Sequence, residues 1–85
     1  MAEPLFYAGV LVRVRPDVWA EGLAALAAVD GVELHHQDIE TGRVVATVET
    51  RAMEQQESVI RTIRGLPGVL LAEPVYAYAT EGESA

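Results

Sequence analysis

The sequence predicts an α+β chain of order β-α-β-β-α-β, in which four strands form one sheet and two helices cover one of its faces. Three observations predict it. Apolar residues alternate with other residues in four separate runs, the period of a half-buried strand. Two intervening segments carry apolar residues at helical spacing. The chain also repeats itself: Gly31-Val32 returns 37 residues later as Gly68-Val69, and Val10 and Val12 return as Ala46 and Val48 at an interval of 36.

The first strand is expected over Tyr7–Arg15, with Val10, Val12 and Val14 on one parity and Leu11, Arg13 and Arg15 on the other. Pro16-Asp17 stops it and opens a helix reaching Val29, whose apolar stripe is Trp19, Leu23, Leu26 and Ala27. Asp17 and Glu21 lie at its N-terminus, where the helix dipole favours negative charge. Asp30-Gly31 ends it. The second strand runs Val32–Asp38, with Val32 and Leu34 facing one way and Glu33, His35 and Gln37 the other. A turn around Gly42 leads into the third, Val44–Thr50, where Val45, Thr47 and Glu49 oppose Val44, Ala46 and Val48. A second helix follows from about Arg51 to Arg64, burying Ala52, Gln56, Val59, Ile60 and Ile63. Glu54 and Glu57 come early and Arg61 and Arg64 late, again matching the dipole. Gly65 and Pro67 stop it. The last strand is "GVLLAEPVYAY", residues 68–78. Pro74 has no N–H to donate, so this strand belongs at a sheet edge or carries a bulge there.

Each β-α-β half has an apolar face that it cannot cover alone. Interleaving the two halves gives the ferredoxin-like plan, with strand order 4-1-3-2 and both helices on one side. The other face of the sheet is then bare. It is expected to display Leu11, Arg13, Glu33, His35, Val45, Thr47 and Glu49, together with Leu70 and Tyr76; the facing of Tyr76 and Tyr78 stays open because Pro74 interrupts the parity. Apolar patches rimmed by charge mark partner sites.

Composition narrows the function. Eighty-five residues make one domain, which buries only about 60–65% of the surface its unfolded chain exposes. Residues 1–79 are expected to fold and 80–85, "TEGESA", to form a disordered acidic tail. Without cysteine there is no disulfide framework, thiolate metal site or cysteine nucleophile. The net charge of −7, with arginine supplying all six bases, argues against nucleic acid and favours a cationic partner. No apolar run reaches membrane-spanning length, so no membrane insertion is expected. An acid precedes the first apolar run and arginines follow it, the reverse of a secretory signal, so a cytoplasmic location is expected.

Catalytic and metal chemistry find little support. His35 and His36 are neighbours on a strand, point to opposite faces and cannot chelate one ion together. Ser58 sits inside a helix with no base nearby in sequence, and no glycine loop is built to cradle phosphate. No catalytic residue, metal or cofactor is expected.

The runs "VLVRVRPD", "AALAAVDGVELHHQD", "TGRVVATVET" and "IRTIRGLPGVLLAEPVYAY", in that order and at those intervals, resemble the NapD family of cytoplasmic chaperones of periplasmic nitrate reductase. The likeness covers Tyr7 to about Tyr78, and its most specific part is "LPGVLLA…VY". It implies a non-enzymatic protein that binds the twin-arginine signal peptide of the reductase's molybdenum-containing catalytic subunit. The peptide would lie as a helix on the bare sheet face, holding back export until the cofactor is loaded. Leu11, Val45 and Leu70 would meet its apolar stretch; Glu33, Glu49 and Glu73 are candidates for its arginines, since carboxylates pair bidentately with guanidinium. The protein itself is expected to be a monomer or weak dimer. A second class shares the element order: ligand-sensing domains like those of leucine-responsive regulators, which dimerise through the sheet and bind an amino acid between copies. Acylphosphatases share it too, but they need an asparagine, and this chain has none.

Overall fold

The computed structural model describes residues 4–80. Its elements are β1 (Phe6–Val14), a 3₁₀ turn (Pro16–Val18), α1 (Trp19–Ala27), β2 (Val32–Asp38), β3 (Arg43–Thr50), α2 (Met53–Arg64) and β4 (Val69–Ala79). The four strands form one antiparallel sheet in the order β2-β3-β1-β4, so the expected ferredoxin-like plan with β1 and β3 central is observed. Of the expected acidic tail, residues 81–85 lie outside the described residues.

Alternation selects the buried face. Ala8, Val10, Val12 and Val14 of β1 and Val44, Ala46 and Val48 of β3 are all within 1% of full burial. Leu26 of α1 and Ile60 and Ile63 of α2 pack onto them, with Trp19, Leu23, Val59 and Leu66 around the margin. Burial of each larger aliphatic side chain contributes about 1.5–3 kcal/mol, so this layer holds both helices on the same side. Gln56 also faces inward at 6% exposure, and its Nε2 has no hydrogen-bond partner among the described residues.

Three local expectations need correction. The first helix becomes α-helical only at Trp19, after a 3₁₀ turn in which Arg15 Nε and Nη2 donate to the Asp17 carboxylate at 3.1 and 2.6 Å. Trp19, Leu23 and Leu26 pack on the core as expected, but Ala27, expected on the same stripe, is exposed. The second helix likewise starts at Met53; Gln55 reaches back from its first turn to accept the Arg51 N–H at 3.0 Å. In β2, the pairing jumps from Leu34↔Ala46 to Gln37↔Val44, so two histidines face one residue of β3. That bulge puts Gln37 in register with a buried-parity residue, away from Glu33, and leaves His36 exposed.

The repeat is structural as well as sequential. Gly31 and Gly68 both adopt a positive φ, 87° and 86°, and each delivers the chain from a helix-end turn into a sheet-edge strand. An L-residue would be strained there, so the same device serves both halves.

Candidate functional site

The bare face is built by the residues that alternate with the core. Pairing registers arrange them in four rows across the sheet. Glu49, Tyr7 and Tyr78 form the first row. Glu33, Thr47, Gly9 and Tyr76 form the second. Val45, Leu11 and Glu73 form the third, with the histidine bulge beside Val45. Asp38, Arg43, Arg13 and Leu71 form the fourth. The face therefore has an acidic, tyrosine-bearing end, an apolar centre and a basic end. Among the described residues, no element of the chain crosses it.

Eight of the ten expected residues occupy these rows: Leu11, Arg13, Glu33, Val45, Thr47, Glu49, Glu73 and Tyr76. His35 joins them through a 2.8 Å hydrogen bond between its Nε2 and Thr47 Oγ1, whose donor is set by the imidazole tautomer. Leu70 stands apart. The register of β4 slips between Val69↔Val14 and Leu71↔Arg13, which leaves Leu70 as the extra residue of a bulge and 64% exposed at the sheet edge. Leu71 takes the position in register on the bare face.

A second bulge in β4 settles the tyrosines. Pro74 pairs with Val10 and Tyr76 with Gly9, so Val75 is unpaired. Before it the odd residues face outward; after it the even ones do. Tyr76 and Tyr78 thereby join Tyr7. The ring of Tyr78 stacks on Tyr7 at 5.2 Å and 22°, and on Tyr76 at 6.0 Å and 19°. Gly9 makes room for this: a Cβ there would collide with the Tyr76 ring. The phenol of Tyr7 is pushed above its usual pKa of 10.0, first by desolvation, then by the charge of Glu49 and by Tyr78.

At this end the face opens into a cleft of about 760 Å³ between the sheet and the start of α2. Tyr7, Glu33 and Glu49 line it from the sheet, Asp30 from the turn before β2, and Arg51 and Glu54 from the entry to α2. Asp30 and Glu54 were not among the expected site residues. They come from a turn and from the start of a helix on the covered side, and only the fold brings them to the rim of the cleft. Tyr7 and Tyr78 could have been found from sequence once a bulge beside Pro74 was allowed. Four carboxylates around one open cleft attract cations. Among the described residues, no cluster of three or more His, Cys, Asp or Glu is arranged to hold a metal ion. No helix among the described residues is long and apolar enough to cross a membrane.

Comparison with known proteins places this architecture. A family model described as NapD protein matches residues 8–81. The solution structure of the E. coli Tat proofreading chaperone protein NapD is similar in fold, with a TM-score of 0.83 at 24% identity, covering 89% of this chain and 80% of that one. No curated protein matches the chain significantly.

Proposed function

The chain belongs to the NapD family, and from that premise we propose that it is a chaperone of a periplasmic nitrate reductase or a related molybdoenzyme. It acts in the cytoplasm on the twin-arginine signal peptide of the catalytic subunit, holding the peptide as a helix on the bare sheet face until the cofactor is loaded. The work is stoichiometric binding, with no covalent step.

The observation that carries this reading is the face with Leu11 and Val45 at its centre and, at one end, carboxylates that form no ion pair among the described residues. A twin-arginine leader has a cationic N-region followed by an apolar stretch, and the face is the complement of both. Laying an amphipathic helix on such a surface buries apolar area from both partners. Glu33 and Glu49 offer carboxylates, the groups that pair bidentately with guanidinium, and Glu73 lies across the apolar centre on the edge strand.

The test is an NMR titration of the labelled protein with a synthetic twin-arginine leader of a periplasmic nitrate reductase. The amide signals of Leu11, Val45, Thr47 and Glu49 are expected to shift together. Shifts confined to α1 and α2 would reject the sheet face as the docking surface.

A further inference from the structure

Resting on the docking reading above, we propose a direction for the bound helix. Its arginine-bearing N-terminal end lies in the acidic cleft beside Tyr7 and Tyr78, and its C-terminal end lies over the Arg13–Arg43 pair.

The charges of the face are unevenly distributed along the strands, with Glu73 alone among the acids in the third row and Arg51 sharing the cleft with its carboxylates. Asp30, Glu33, Glu49 and Glu54 gather at the Tyr7 end. Arg13 and Arg43 sit directly opposite each other six residues further along β1. Like charges in cross-strand register are unfavourable unless something negative relieves them. Asp38 is the register neighbour of Arg43 on its other side, yet among the described residues no carboxylate comes within 4.0 Å of either guanidinium. Arg13 Nη2 donates instead to the Thr41 carbonyl at 3.2 Å, an acceptor without net charge.

A helix is polarised in the matching sense. Its N-terminus carries about half a positive elementary charge and its C-terminus about half a negative one. The leader's arginines add to the positive end. In the proposed direction both ends meet opposite charge. In the reverse direction arginines would lie over Arg13 and Arg43, and the helix carbonyl end would face four carboxylates.

Dimensions and ring chemistry agree. Tyr7 to Arg13 spans about 20 Å of strand, which about 13 residues of helix cover at 1.5 Å each. One short helix thus reaches both ends at once, with Leu11 and Val45 under its middle. The stacked Tyr7 and Tyr78 rings beside Glu49 offer a π-face next to a carboxylate, a setting that suits guanidinium better than ammonium.

Two leader peptides, spin-labelled at the N- or C-terminus, test the direction through line broadening of the protein's amide signals. The N-terminal label is expected to broaden Asp30 and Glu49, and the C-terminal label Arg13 and Leu71. The opposite pattern, or both ends broadened equally by each label, overturns the direction while leaving docking intact. No broadening on the sheet overturns docking and the direction with it. A second measurement reads the basic end alone. A leader carrying an added glutamate in its last turn should bind several-fold more tightly than the unmodified leader, and the R13Q/R43Q variant should lose that gain. An equal gain in both proteins would also overturn the direction.

Discussion

Position 9 shows how much one side chain decides. Glycine weakens a strand interior, and inside a strand it goes with a close approach or a bulge. Both occur: the Tyr76 ring lies against Gly9, and the β4 register slips at the next pair. Tyr7, two residues earlier, carries a testable consequence. Its phenol is raised in the folded state by desolvation, then Glu49, then Tyr78. The folded protein therefore keeps the proton to higher pH than the unfolded chain does. The associated stability is fully present below pH 10.0 and is lost as pH rises through the folded-state pKa. Thermal melts across that range should show wild type falling more steeply than Y7F, and ultraviolet titration should place the transition that Y7F removes above the usual tyrosine value. Parallel melting curves would refute the shift.

At the scale of elements, β4 carries the site. Pro74 marked it as an edge strand or a bulged one, and it is both. The bulge at Val75 is what brings Tyr76 and Tyr78 round to Tyr7. Val69 and Ala72 hold the front half of the strand to the core, so deleting Val75 should shift only the tyrosine half by one residue. Two stacked pairs, worth about 0.5–1.5 kcal/mol each, would be lost. At this chain length that corresponds to a fall in Tm of roughly 5–20 °C, with loss of the tyrosine signal in near-ultraviolet circular dichroism. V75A, which keeps the extra residue, should retain that signal. A deletion variant with an unchanged spectrum would mean that the bulge does not set the facing. The bulge of β2 teaches the same lesson from the other edge, since it turned Gln37 away from Glu33.

For the molecule as a whole, charge distribution matters more than the net value of −7. The acids that line the cleft come from a turn, two strands and a helix start, and together they make one end of the face attractive to cations. Leader affinity should therefore fall by roughly an order of magnitude between about 0.1 and 1 M salt, where the Debye length shrinks from about 10 to 3 Å. E33Q/E49Q should bind more weakly at low salt and show a flatter dependence, measured by calorimetry; an unchanged slope would place the attraction elsewhere. The element order, the strand order, the buried valine parity and the edge position of β4 could all be read along the chain. They follow from alternation, helix stops and a missing N–H, which act between neighbouring residues. The tyrosine stack, the exclusion of Leu70 from the rows and the recruitment of Asp30 and Glu54 could not. Pro74 allows a bulge, but its place is chosen by the register of the partner strand, and a cleft by which chain segments end up side by side, so local spacing alone fixes neither.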